Sequence, residues 1–128
     1  MSMHPGFQTE IEFELPKGYV DDGGTLHRQG VMRLATAADE ILPMRDPRVQ
    51  ENEAYLPVIV LARVITRLGS LKDISTGVIE GLYASDLGFL EELYADFNAR
   101  NDMVDVISTS GKANGGHSLH RIAALGEV

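Results

Sequence analysis

Residues 7–15 alternate between two kinds of side chain, and this pattern constrains the fold more than any other. Phe7, Thr9, Ile11, Phe13 and Leu15 fall on one side, and Gln8, Glu10, Glu12 and Glu14 fall on the other. A period of two with a charged outer face predicts a half-buried β-strand. Pro16 and Gly18 follow, and we expect the strand to end there.

A turn and a second extended segment follow this strand. Residues 21–24 read Asp-Asp-Gly-Gly, which tolerate the positive φ of a tight reversal. The segment Leu26–Leu34 has Val31 and Met32 among its apolar residues. The sequence therefore predicts a β-hairpin with a rather long polar connection. Because a lone hairpin is marginal in water, its apolar face must lie on helices or on another subunit.

The pattern becomes helical from Thr36 onward. Thr36 can cap the turn that follows, and Asp39 at the third helical position favours a helix start. Pro43 limits this first helix to a few turns. Asp46 followed by Pro47 is a second start signal, a capping acid and then a proline whose missing N–H costs nothing there.

A long apolar segment predicts the main helix. It opens either at that second signal or at Asn52, runs to about Leu68 and stops at Gly69 as a left-handed cap. Pro57 then lies in its first turn or kinks it. The β-branched residues leave a buried strand at residues 58–61 open as an alternative, but the length of the segment favours a helix.

Two further helices complete the predicted body. Ser75 or Thr76 caps a short helix through Leu82, and Ser85 caps another that runs to about Asn98. Residues 108–118 are rich in glycine and serine, as flexible linkers are. We therefore predict an α+β fold, with an N-terminal β-hairpin followed by a small, mainly helical domain of about four helices. Residues 1–100 form this unit, and residues 101–128 form a flexible linker and C-terminal tail.

Charge and composition restrict the kinds of partner. Eleven Lys and Arg stand against nineteen Asp and Glu, for a formal net charge of −8, and no basic cluster occurs. Nucleic acid and anionic membranes are poor partners for such a surface. The acidity favours solubility, or else a basic protein client. Cysteine is absent, no signal peptide is recognisable, and the apolar stretch at residues 55–62 is too short to span a bilayer. We expect a cytoplasmic protein.

Several patterns suggest catalysis or ligand binding, but each lacks a necessary part. The phosphate-loop-like segment 108–112 has Val106 where glycine is required and Ala113 where Ser or Thr is required. His117 and His120 have helical metal-ligand spacing without a third ligand nearby. The Asp-Asp-Gly-Gly turn lacks the ligand pattern of a calcium loop, and the acids at 91, 92 and 96 form a solvated helical face. We expect no enzyme activity, no cofactor and no metal.

Arg63 and Arg67 are four residues apart on the predicted apolar helix. One interpretation is the solvated stripe of a core helix. The other is that both guanidinium groups pair with acids of a partner protein.

Four stretches carry a resemblance to a known family. They are residues 13–24 (FELPKGYVDDGG), 31–40 (VMRLATAADE), 61–69 (LARVITRLG) and 79–94 (IEGLYASDLGFLEELY). Together they resemble phage tail-assembly chaperones, as found in phage-like contractile tails and injection systems, over residues 7–100. The resemblance implies an assembly factor that holds an aggregation-prone client, such as the tape-measure or tube protein, before the tube polymerises.

The sequence also offers candidate residues for contact with such a client. The predicted surfaces are the edge of the hairpin and the apolar faces of the central and last helices. The residues are Ile11, Phe13, Val31, Met32, Arg33, Arg63, Arg67, Leu90 and Tyr94. Core packing explains the apolar ones equally well. A permanent structural subunit of the particle, at the baseplate or tube, is the alternative function, and the sequence is also compatible with a homo-oligomer.

Overall fold

The computed structural model describes residues 8–99 and has an α+β fold, as predicted. Two strands come first, followed by a mainly helical body that contains a third strand. The strands are β1 (Glu10–Val20), β2 (Leu26–Arg33) and β3 (Ile65–Leu68). The α-helices are α1 (Ala37–Ile41), α2 (Pro47–Glu51), α3 (Leu56–Val64), α4 (Thr76–Glu80) and α5 (Ala84–Ala99). Short 3-10 helices at Leu42–Arg45 and Glu53–Tyr55 connect the first three α-helices. The predicted tail, with the segment 108–112 and both of its histidines, lies outside the described residues.

The hairpin is confirmed and is extended into a sheet. Within residues 8–99 the strand order is β1-β2-β3, and both pairs are antiparallel. The connection between β1 and β2 is shorter than predicted and spans residues 21–25. Asp21 closes this turn, because its carboxylate accepts from the N–H groups of Gly23 at 2.8 Å and Thr25 at 3.0 Å. Gly24 has the predicted positive φ, +89°.

The prediction that β1 ends at Pro16 and Gly18 is wrong. The strand continues to Val20, and its register against β2 shifts between Glu14 and Tyr19. Gly18 lies in this irregular stretch with φ +102°, a backbone conformation that other residues rarely adopt. The proline and the glycine therefore mark a bulge within the strand rather than its end.

The prediction of one helix up to Leu68 is also wrong. α3 ends at Val64, and the chain becomes extended at Ile65, with φ −83° and ψ 113°. Residues 65–68 then pair with β2, whereas the suggested strand at residues 58–61 is helical. Gly69 has the expected left-handed conformation, φ +58°, but it follows a strand.

Most of the predicted helix starts are confirmed. The backbone N–H of Thr36 donates to Asp39 at 2.8 Å, and Asp46 accepts from the N–H of Arg48 at 2.8 Å at the start of α2. Pro57 lies in the first turn of α3, and Ser75 caps α4. Ser85 is not the cap of α5. The helix begins at Ala84, because the C=O of Tyr83 already accepts from the N–H groups of residues 86 and 87 at 2.9 and 3.0 Å.

The core lies between one face of the sheet and the longer helices. Phe13, on β1, meets Phe89 of α5 edge-on, with ring centroids 6.4 Å apart. The apolar face of the hairpin therefore lies on a helix of the same chain, which is one of the two expected arrangements. The fully buried side chains include Leu15, Met32, Leu56, Leu61, Leu68, Ile79, Leu90 and Tyr94.

Candidate protein-interaction edge

The hydrogen bonding of β1 determines which of its backbone groups face away from β2. The N–H of Leu34 donates to the C=O of Thr9 at 2.8 Å, so the backbone of Thr9 is directed toward β2. Backbone direction alternates along an antiparallel ladder. The N–H and C=O groups of Glu10, Glu12 and Glu14 therefore point away from β2. We call these backbone groups the outer edge.

A second hydrogen bond supports this assignment. Gln29 lies opposite Glu14 in the hairpin register, and its C=O accepts from the N–H of Gly69 at 2.7 Å, next to β3. The backbone of Gln29 is therefore directed away from β1, as the alternation requires. At the outer edge itself, the C=O of Glu10 accepts from the exposed side-chain amide of Gln8 at 3.2 Å.

The outer edge also carries a row of carboxylates. The side chains of Glu10, Glu12 and Glu14 are exposed and share the face of the sheet opposite the core. Glu14 approaches Arg28 at 3.6 Å, but both side chains are about half exposed, at 55% and 41%. An exposed pair of this kind contributes little to stability. The three carboxylates are therefore accessible from the outer edge.

Asp86 binds the backbone of β1 just beyond the C-terminal end of the outer edge. This fully buried carboxylate, in the first turn of α5, accepts from the N–H of Lys17 at 3.0 Å and from the N–H of Gly18 at 2.7 Å. These contacts satisfy the backbone at the bulge of β1. Asp86 is not among the residues that the sequence patterns indicate as functional. Its position in the first turn of a predicted helix is the one local signal that the sequence contains. The N–H groups that it binds lie 68 and 69 residues earlier, so local patterns do not reveal the contact.

Asp39 anchors the other end of the hairpin. Its carboxylate, 2% exposed, accepts from both terminal nitrogens of Arg33 at 2.8 and 3.0 Å and from Nε of Arg63 at 2.9 Å. The hydrogen bonds from Arg33, with further ones from Thr36 and Arg63, hold the pKa of Asp39 well below its usual value. Arg33 and Arg63 are thus bound to an acid of this chain.

The remaining predicted contact residues divide between core and surface. Phe13, Met32, Leu90 and Tyr94 are 6%, 0%, 1% and 0% exposed, so they are part of the core. The Tyr94 hydroxyl donates to Glu40 at 2.6 Å, and burial, together with this contact, raises the pKa of Tyr94. Ile11 and Val31 are half-buried, whereas Arg67 is exposed on β3 opposite Val31. Arg67 is not on α3, so it shares no helical stripe with Arg63.

His27 is a second buried polar residue that no sequence pattern indicates as functional. It is 3% exposed on β2, and its Nδ1 accepts from the N–H of Ser70 at 3.2 Å. That bond assigns the proton to Nε2, which donates to Asp21 at 2.8 Å and lowers the pKa of Asp21. His27 therefore ties the hairpin turn to the loop after β3. The position of His27 within a predicted extended segment does not indicate that its side chain is buried.

Within residues 8–99, no group of three or more His, Asp or Glu side chains is arranged to hold a metal ion. In the same part of the chain, no helix combines the length and the apolar character needed to cross a membrane.

No family model, no curated protein and no solved structure matches this chain.

Proposed function

We propose that this chain is an assembly chaperone of a phage-like contractile tail or injection system. It holds a tape-measure or tube protein in the cytoplasm until the tube polymerises. The observation that carries the proposal is the outer edge of β1, whose backbone groups are directed away from the sheet at Glu10, Glu12 and Glu14. The resemblance over residues 7–100 supplies the class of client.

A sheet edge with no partner strand in the described part of the chain suits a protein that holds an extended client. A client segment can add to β1 as a further strand, and its main chain then supplies hydrogen bonds that depend little on sequence. Such binding also covers the client's own unpaired backbone, which would otherwise promote aggregation. The exposed carboxylates beside the edge keep the free chaperone from pairing edge to edge, since like charges directly opposite each other are destabilising.

The two buried acids support a binding role rather than a chemical one. Asp39 is saturated by hydrogen bonds from two guanidinium groups and Thr36, and Asp86 is bound to the backbone N–H groups of β1. Each carboxylate is therefore engaged in holding one secondary-structure element to another. A general acid or base instead needs access to a reacting group.

Co-expression with a tape-measure or tube protein of a phage-like contractile system tests this proposal. We expect the client to move from the insoluble to the soluble fraction when this chain is present, and to co-purify with it. An unrelated aggregation-prone protein is the control and should stay insoluble. A client whose solubility does not change would contradict the proposal.

The composition of finished particles is an independent test. A chaperone leaves its client before or during polymerisation, so purified particles should contain this chain in trace amounts at most. A fixed stoichiometric amount in washed particles would instead identify a permanent structural subunit.

A further inference from the structure

We infer that the outer edge of β1 binds an extended protein segment in which basic side chains alternate with apolar ones. This inference rests on the proposed function and specifies the chemistry of the client segment. It follows from the length of the outer edge, from the charge on one face of it and from the apolar surface on the other.

The length of the outer edge limits the bound segment to a few residues. The edge runs from Glu10 to Glu14, and beyond it Asp86 already occupies the N–H groups of Lys17 and Gly18. Five residues of strand span about 17 Å. A client strand that continued past Glu14 in register would meet α5, so we expect a short segment and not a long β-ribbon.

The charged face selects basic residues at alternate positions. A strand added to β1 would place its side chains about 5 Å from those directly opposite on the same face. On the face away from the core, these neighbours are the carboxylates of Glu10, Glu12 and Glu14. Arg28 of β2 approaches the carboxylate of Glu14 at 3.6 Å in a half-exposed pair, whereas Arg67 is on β3, two strands further into the sheet at about 4.8 Å per strand. Lys or Arg at every second client position therefore meets carboxylates first.

The opposite face selects apolar residues at the positions between. On that face β1 presents Ile11, which is half-buried, next to the buried ring of Phe13. Phe89 of α5, also half-buried, packs edge-on against Phe13. An apolar client side chain between two basic ones would cover the exposed parts of Ile11 and Phe89. This burial would add to the main-chain hydrogen bonds.

A second copy of this chain does not fit the same edge. Pairing of two β1 strands would place glutamates of one copy opposite glutamates of the other, because the acidic side chains share one face. Like charges directly opposite on paired strands are destabilising. The charge thus selects a basic partner over self-association.

Hydrogen exchange with a synthetic peptide tests the inference on the full-length chain. The probe is a capped Lys-Val-Lys-Val-Lys peptide, and the control is the Glu-Val-Glu-Val-Glu peptide. At about 100 times the dissociation constant of the basic peptide, exchange of the Glu10, Glu12 and Glu14 amides should slow about 100-fold. The amides of Ile11 and Phe13, which face β2, should be slow before and after addition. The acidic peptide should change nothing.

A charge exchange provides the matched variant. The triple variant Glu10→Lys, Glu12→Lys, Glu14→Lys should no longer bind the basic peptide and should bind the acidic peptide instead. Glu92→Lys, at an exposed position of α5, changes the net charge elsewhere and should bind the basic peptide as the original chain does. Unchanged binding of the basic peptide by the triple variant would overturn the inference. So would slow exchange at the outer edge before any peptide is added, whether from a second copy or from residues 100–128.

These outcomes are separable from those of the proposed function. If the client is solubilised on co-expression but the basic peptide does not bind, the chaperone proposal stands and the inference about the edge fails. If the peptide binds at the outer edge but no client is solubilised, the inference stands and the chaperone proposal fails.

Discussion

The carboxylate of Asp86 accepts a hydrogen bond from the N–H of Gly18 at 2.7 Å and thereby joins α5 to the edge strand β1. The adjacent N–H of Lys17 binds the same carboxylate. A side chain in the first turn of a helix thus satisfies a strand backbone that its bulge leaves unpaired. This contact separates the part of the β1 edge that is bound by Asp86 from the part that has no partner strand within residues 8–99.

Asp86→Asn should destabilise the fold. The variant has one acceptor oxygen and no charge in place of the carboxylate, so at least one buried N–H of β1 loses a charge-assisted bond. We expect the free energy of unfolding in urea to fall by about 1–3 kcal/mol. Asp96→Asn, at an exposed position of the same helix, is the control and should change it by less than about 0.5 kcal/mol. Equal stabilities of the two variants would contradict this role of Asp86.

Asp39 should make stability depend on pH in the acid range. Its pKa is lowered in the folded protein, chiefly by Arg33, so below about pH 4 the unfolded chain binds a proton that the folded chain resists. The contribution of Asp39 is therefore complete above about pH 4 and is lost as the pH falls toward its lowered pKa. Asp39→Asn removes this contribution. The difference in unfolding free energy between the original chain and the variant should shrink from pH 5 to pH 2. A difference that stays constant over this range would contradict the contribution of Asp39 to stability.

Gly30→Ala should be poorly tolerated because three elements meet at this position. A Cβ there would lie 2.4 Å from Cζ of Phe13 and 2.7 Å from the backbone C=O of Arg67. We expect a loss of about 1–3 kcal/mol in the free energy of unfolding. Gly88→Ala is the matched control, since its Cβ would have no neighbour within 4 Å and it lies within α5. The free energy of unfolding of Gly88→Ala should rise by up to about 1 kcal/mol. A Gly30→Ala variant more stable than Gly88→Ala would contradict the close packing at Gly30.

Local signals in the sequence predicted the hairpin and most helix starts. The alternation of residues 7–15 located the apolar face of β1, and Thr36, Asp46 and Ser75 start helices as expected. Such signals depend on neighbours a few residues apart, which a sequence displays directly.

The sequence did not show features that depend on distant residues. Pro16 suggested a strand end because the acceptor that satisfies the following N–H groups, Asp86, lies far along the chain. The run that contains β3 is mostly apolar, with Arg63, Thr66 and Arg67 as its polar residues, and periodicity alone does not separate a short strand from the end of a helix. The β-branched pair Val64–Ile65 stands at the change from helix to strand, but its strand propensity became decisive only through pairing with β2.

Glu12→Pro tests the outer edge as the site of client binding most directly. The N–H of Glu12 points away from β2, so proline removes a donor from the outer edge and leaves the hairpin ladder intact. Glu12→Thr is the matched control, because it removes the carboxylate and keeps the N–H. The measurement is client solubility on co-expression, with thermal melts to show that both variants fold. We predict that the folded Glu12→Pro chain loses most of its solubilising effect and that Glu12→Thr keeps more of it. Full solubilisation by folded Glu12→Pro would contradict strand addition at this edge.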